Sequence, residues 1–346
     1  MTPTDTVERA AILRDGLELV PRRELIASPI DVLFPLHPGD RPLVKAGEAV
    51  SRGQPLIEHY RDPRTIVVTE KHQGDGPPAP GERWTEAPAR RGHEGDRAAG
   101  GELLFRSSGK WRIAGGDRPD AIEAPFAGAV HELRSGTGVI VRTSANAILG
   151  RAALAGPTWG RLRIVTDADG ELRAQHVDVG AAGSIVVAGA RIDAEALTRA
   201  RAVGIRGVIV AALGIKEQRD FLASERRGRA AVHGLPPFGI LVLDGAARRP
   251  IASAVMAMFE HLEGTMVALV GNPPALVVDD PTVTLPLPPP EIVRVRSGPL
   301  AGAEGTWAGL AGPRRFAAGV TLEAGFVRFG ERPPVAIPIG DLERFA

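Results

Sequence analysis

Ser184-Ile185-Val186-Val187-Ala188-Gly189-Ala190-Arg191-Ile192-Asp193-Ala194-Glu195-Ala196-Leu197-Thr198-Arg199-Ala200-Arg201-Ala202-Val203-Gly204-Ile205-Arg206-Gly207-Val208-Ile209-Val210-Ala211 reads as strand, helix, strand. The first five residues form an apolar run of the kind buried on both faces of a parallel sheet. Asp193 to Val203 has an acidic first turn and arginines toward its end, the charge order that the helix dipole favours. Gly204 closes it and Gly207–Ala211 is the next strand. The unit is β-α-β, with parallel strands and a right-handed crossover. Outward from it, Lys216–Glu225 is a second helix and Gly239–Leu243 a third strand. Ile251–Leu262 is a helix with apolar Ile251, Val255, Met256, Phe259 and Leu262, followed by strands Met266–Val270 and Ala275–Val278. Upstream, Leu162–Val165 and Glu171–Ala174 are expected to pair as a hairpin through Asp169-Gly170. These elements make an α/β domain over 166–283.

A proline-rich linker, 284–290, leads to Ile292-Val293-Arg294-Val295-Arg296-Ser297-Gly298-Pro299 and on to Gly302, Gly305 and Trp307. Alternating Val and Arg predicts a half-buried strand with one apolar and one basic face, and Ser-Gly-Pro predicts a turn. The stretch resembles the KOW motif of small SH3-like barrels in transcription elongation factors and ribosomal proteins. That resemblance implies a barrel over 291–346, with a basic edge at Arg294 and Arg296 meeting a partner such as the ribosome or RNA polymerase. Seven Arg stand against six acids between Glu291 and Ala346, so the nucleic-acid contact it implies is weak.

Upstream of the α/β domain, beyond a polar lead-in of residues 1–25, two glycine-spaced stretches stand out. Val44-Lys45-Ala46-Gly47-Glu48-Ala49-Val50 runs on to Gly53-Gln54-Pro55-Leu56-Ile57, and Ala124-Pro125-Phe126-Ala127-Gly128-Ala129-Val130 follows much later. They resemble the two halves of biotinyl/lipoyl-type barrel-sandwich hybrid domains, as at the N-terminus of Rnf-type electron-transport subunits. The resemblance implies a hybrid domain over 26–165. Its insertion, 61–120, is rich in Gly, Pro and charge and reads as loop, with a hairpin about Ser108-Gly109. Carrier domains hold their lysine beside a methionine; Glu70-Lys71 is the one acid–lysine pair near that place and no Met flanks it. No covalent cofactor is expected.

Composition sets outer limits. The 346 residues are 44% hydrophobic and 24% charged, ordinary for a globular chain of two or three domains. Formal net charge is +1, so there is no bulk electrostatic case for nucleic acid. The absence of cysteine excludes disulfides, thiol nucleophiles and cysteine metal sites. No apolar run of about 18 residues exists, so no membrane insertion is expected. With no leader pattern at Met1–Leu13, a cytoplasmic setting is the expectation.

The chemistry-bearing candidates are few. The rule that ligands favour the carboxyl ends of parallel strands points to Arg191, Asp193 and Lys216. No glycine-rich phosphate loop accompanies them. Arg226-Arg227-Gly228-Arg229, with Lys216 and Arg219, is the densest basic cluster; a solvated loop is the favoured reading and phosphate or RNA contact the other. The eight histidines show no metal-ligand spacing, so no metal is expected. The fold class expected is therefore α+β, multidomain and β-rich: a barrel-sandwich hybrid, a small α/β domain and an SH3-like barrel. The function expected is non-catalytic binding, as an accessory factor of transcription or translation. The alternatives are a subunit of a redox or membrane-associated complex, or an α/β enzyme acting on a phosphorylated metabolite.

Overall fold

Every residue of the Ser184–Val187 strand is buried, as is every residue of Gly207–Ala212, and the two pair in parallel with Ile185 opposite Gly207. Helix α1 (Ala194–Val203) lies between them. The Asp193 side chain caps it by accepting from Ala196 N, and Gly204 ends it at φ 89°, its N–H donating to Ala200 O and Arg201 O. A computed structural model describes residues 16–20, 22–26, 29–36, 40–59, 65–68, 103–107, 110–114, 120–229 and 238–345.

The β-α-β unit sits inside a mixed sheet of nine strands. Their order is Ala152–Ala155, Gly239–Gly245, Gly207–Ala212, Ser184–Val187, Thr158–Ile164, Met266–Gly271, Pro274–Val278, Asn146–Leu149 and Leu25–Ile26. The four strands from Gly239–Gly245 to Thr158–Ile164 run parallel to one another, and every other pairing is antiparallel. One face packs Val186, Val208 and Val210 against Leu197 and Ala200 of α1 and Phe221 of α2 (Ile215–Arg229). The opposite face packs Ile185, Ile209 and Leu241 against Val255, Phe259 and Leu262 of α3 (Ser253–Leu262). Residues buried on both faces explain why these strands read as unbroken apolar runs.

Strand pairing crosses position 165, where the sequence reading placed a boundary. Asn146–Leu149, Ala152–Ala155 and Thr158–Ile164 all belong to the nine-stranded sheet. The hairpin expected through Asp169-Gly170 does not form. Thr158–Ile164 already has two neighbours, Ser184–Val187 and Met266–Gly271, while Glu171–Leu172 pairs in parallel with Arg191–Ile192. The turn between them is instead held to Gly189, whose φ of 66° lets Ala190 N donate to Gly170 O.

Two smaller sheets close on the antiparallel wing. One orders Ile30–Pro35, Gly138–Thr143, Gly128–Arg134 and Ala49–Val50; the other orders Asp120–Glu123, Pro55–His59 and Arg41–Pro42. Val32, Phe34, Leu56, Phe126 and Val141 share a core with Ala268, Val270 and Val277 of the wing. Within the insertion, Leu103–Ser107 and Lys110–Ala114 pair antiparallel with Ser107 opposite Lys110, the hairpin read from the sequence. Thr65–Val68 adds a third strand. Glu70, Lys71 and the glycine-proline run from Gly74 lie outside the described residues.

The C-terminal sheet has six strands, in the order Glu18–Val20, Leu342–Phe345, Ile292–Val295, Glu304–Arg315, Thr321–Arg328 and Val335–Pro338. The outermost comes from the polar lead-in, and it runs parallel to Leu342–Phe345. Leu17 is fully buried beside Val293, Val295, Val327 and Leu342. Composition hid this strand: three residues flanked by Pro21, Arg22 and Arg23 carry no readable period. No helix among the described residues is long and apolar enough to cross a membrane. The chain is β-rich and multidomain, and its described residues hold three α-helices and three short 3-10 helices.

Candidate functional site

The carboxyl ends of the parallel strands are where the sequence placed Arg191, Asp193 and Lys216. The structure brings Arg191 against two carboxylates, with Nη2 3.5 Å from Glu217 Oε1 and Nε 3.9 Å from Glu171 Oε1. Asp193 is occupied by capping, its Oδ1 accepting from Ala196 N at 2.6 Å. Lys216, at the second position of α2, is exposed. Glu217 folds back over Gly214, where a Cβ would press on its carboxylate. An anion at the α2 N-terminus is thus supplied by the chain itself, as the helix dipole favours.

The other half of that edge is covered by the C-terminal sheet. The loop after Gly239–Gly245 carries Arg248, Arg249 and Pro250, and each is engaged. Arg248 Nη2 donates to Asp169 O and Oδ1, both at 2.9 Å. Arg249 donates from Nε to Glu343 Oε2 at 3.0 Å and from Nη2 to Glu18 Oε1. Arg294 donates to Glu343 Oε1 and, at 2.8 Å, to Pro250 O, with its guanidinium 5.0 Å from the Phe345 ring centroid. Arg296 donates to Glu18 Oε2 at 2.6 Å and to Gly340 O at 2.8 Å. The result is one alternating chain, Arg294–Glu343–Arg249–Glu18–Arg296, running across the seam. Glu304 completes the contact from its own strand by accepting from Ser253 N at 2.8 Å and from Ser253 Oγ. It caps α3, whose N-cap position is Ala252 and offers no side-chain acceptor.

This corrects the reading of the Val-Arg alternation. The Arg294 side chain is 2% exposed and Glu343 is 0% exposed, so the basic face of that strand points into the seam. Alternation reveals that two faces differ; it does not say that the polar one meets water. A buried guanidinium is tolerated because every polar contact around it is charge-assisted or carbonyl-accepted. The signal missed in the sequence was Leu342-Glu343-Arg344-Phe345, where Glu343 alternates with apolar Phe345 and supplies the countercharge.

The remaining candidates lie on α2. Of its side chains from Ile215 to Ser224 only Phe221 is buried, while Ile215 is 76% and Leu222 37% exposed. Arg219 faces solvent, 3.6 Å from Asp220 Oδ1. Arg226, Arg227 and Arg229 occupy the last turns of the helix, and their side chains lie outside the described residues.

Shallow clefts indent the surface of the described residues, two of them with charged walls. One, of about 250 Å³, has Arg52, Thr265, Asp279 and Asp280 on its walls. The other, of about 220 Å³, is bounded by Arg163, His176 and Asp178 over Leu172, Val177 and Val186. In the first, Asp280 accepts from Thr282 Oγ1 and N, which holds its carboxyl below the usual Asp range. Among the described residues no three His, Asp or Glu side chains gather to hold a metal ion. No family model, no curated protein and no solved structure matches the chain.

Proposed function

We propose that the chain works by binding, as an accessory factor of the transcription or translation machinery. The C-terminal sheet is read as an SH3-like barrel of KOW type, and the two small N-terminal sheets as a barrel-sandwich hybrid serving as scaffold. The observation that carries the reading is α2: a helix fifteen residues long that buries Phe221 and turns Ile215, Lys216, Arg219 and Leu222 outward. A helix whose stability rests on packing normally buries a stripe. Its described turns expose Lys216 and Arg219 three residues apart, with Asp220 beside Arg219, and in sequence Arg226 stands four positions beyond Leu222 and seven beyond Arg219. The surface suits the phosphate-rich exterior of a ribonucleoprotein or a transcribing complex.

The test is a charge reversal. Arg226, Arg227 and Arg229 are changed together to Glu, because single exposed charges contribute little. Co-sedimentation with ribosomes and co-purification with RNA polymerase are then measured, with and without nuclease. Loss of association in the triple variant, at unchanged melting temperature, is the expected result. Wild-type protein that ignores both machines and instead co-purifies with a membrane complex would favour the redox-complex reading.

A further inference from the structure

Pairing in the C-terminal sheet thins out at one corner. Ile292–Val295 pairs with Glu304–Thr306, and Val335–Pro338 pairs no further along than Ala324. From Pro313–Glu323 outward, only two strands remain among the described residues. This ribbon ends in a tight turn: Gly319 N donates to Phe316 O at 2.8 Å and Phe316 N to Val320 O at 3.0 Å, with Gly319 at φ 78°. The run Phe316-Ala317-Ala318-Gly319-Val320-Thr321-Leu322 carries no charge, and Thr321 holds its one polar side chain. The run is not folded inward. Ala317, Ala318 and Thr321 are exposed, Val320 is 50% and Leu322 44% exposed, and Phe316 is half-buried.

Polar groups are graded along the ribbon. Arg315 pairs with Thr321 just behind the turn, Arg314 with Leu322 one step further back, and Pro313 with Glu323 behind both. Going away from the turn, the order is apolar, then cationic, then acidic, over about 10 Å at the rise of a strand. Arg314 and Arg315 are exposed, and among the described residues neither makes an ion pair. The Arg314 guanidinium sits 5.5 Å from the Phe326 ring centroid, on the side away from the turn. That is the direction in which a long cationic side chain snorkels when its neighbours enter an apolar phase.

We propose that the ribbon tip docks the chain on an anionic phospholipid surface, reversibly and without spanning it. The uncharged turn enters the boundary between headgroups and acyl chains, which lies about 5–10 Å deep. Arg315 and Arg314 then stand level with the lipid phosphates, and Glu323 stays outside them. Apolar burial and attraction to anionic headgroups are each weak, and interfacial binding combines the two; the tip supplies both in the order a bilayer requires. A finger that tracks nucleic-acid phosphates carries its cations and donors at the tip, where this ribbon has Ala, Gly and Val. The surface is separate from α2, so its failure leaves the proposed function standing.

Co-sedimentation of the full chain with vesicles tests it, using phosphatidylcholine alone and phosphatidylcholine mixed with phosphatidylserine. Wild type is expected to bind the mixed vesicles, to be released as salt is raised, and to stay in solution with the neutral ones. Arg314→Ala with Arg315→Ala is expected to weaken binding about thirtyfold. Val320→Asp with Leu322→Asp is expected to abolish it at unchanged melting temperature. Because the chain has no cysteine, Ala318→Cys places a polarity-sensitive dye on the turn alone. Its emission is expected to move to shorter wavelength on the mixed vesicles, while the same dye at Glu195→Cys on α1 does not respond. Wild type that ignores the mixed vesicles overturns the proposal. So does binding that survives Val320→Asp with Leu322→Asp, or a dye on the turn that stays unchanged. A chain that binds RNA through Arg314 and Arg315 but not vesicles overturns it in favour of nucleic acid.

Discussion

Replacing Glu343 by Gln removes one charge from the alternating chain at the seam. The Glu343 carboxylate is fully enclosed and is held by Arg294 on one side and by Arg249 Nε, at 3.0 Å, on the other. Glutamine keeps the shape and one acceptor, but leaves the 2%-exposed Arg294 with Pro250 O and the Phe345 ring as its company. Breaking a buried pair from one side costs about 3–5 kcal/mol, because the surviving charge stays desolvated. Glu18→Gln is the control: Glu18 is 26% exposed, so water replaces much of what is lost and about 1 kcal/mol is expected. The double change Arg294→Met with Glu343→Leu should recover most of the loss, since apolar residues of similar volume often match a buried ion pair. Urea unfolding followed by two probes gives the totals. Hydrogen exchange at Val293, Val295 and Arg344 reports the seam itself, where 3 kcal/mol corresponds to roughly a hundredfold faster opening. A Glu343→Gln variant within about 0.5 kcal/mol of wild type would refute the reasoning.

Three further outcomes are expected. Gly189→Ala should cost about 1–3 kcal/mol in urea unfolding, since φ is 66° and the new Cβ would lie 2.6 Å from Thr166 Oγ1 and 2.7 Å from Gly170 O; Gly53→Ala, at φ 83° with nothing within 4 Å, should cost about 1 kcal/mol. Glu304→Ala strips α3 of its borrowed cap and should cost about 1 kcal/mol, with faster exchange confined to the first turn from Ser253; uniform exchange along α3 would count against the capping role. The two hydrogen bonds from Arg142, both 2.7 Å, hold the Asp31 carboxyl below the usual Asp value, with its partial desolvation opposing. A depressed folded pKa means this pair stabilises the fold above the unfolded Asp value and loses that contribution as pH falls through the folded one. Carboxyl NMR should place the Asp31 midpoint below that of free Asp, and Arg142→Ala should raise it; an unmoved midpoint would contradict the assignment.

The central β-α-β unit was legible because its signals are local. Asp193 and Gly204 mark the two ends of α1, and the apolar runs on either side need no partner to be recognised as buried strands. The helix Ser253–Leu262 and the strands Met266–Gly271 and Pro274–Val278 were read to within a few residues for the same reason. What stayed hidden was pairing between distant segments. Nothing within Thr158–Ile164 says that its neighbours are Ser184–Val187 and Met266–Gly271, so the nearer Glu171–Leu172 looked like its partner. The same limit affected the candidate residues: Arg294 was recognised as notable, but its countercharge lies 49 positions on and its carbonyl acceptor 44 positions back. Arg191 was placed at the correct strand end, while the Glu171 and Glu217 carboxylates facing it come from elements on either side.

The strand Glu18–Val20 emerges from synthesis long before its partner, Leu342–Phe345, which lies more than three hundred positions further along the chain. Until that partner exists, Leu17 has no core to enter and Glu18 has no arginine from the C-terminal sheet beside it. The outermost position of that sheet is therefore filled late, by a contact of very long sequence separation, which is the slow kind. A nascent chain must carry this segment unpaired through the folding of the nine-stranded sheet. Grafting Leu17–Val20 behind Phe345 through a linker of about a dozen residues, long enough to cross back to the start of a parallel strand, would make the same pairing more local and should speed the last step of folding with the strand register kept.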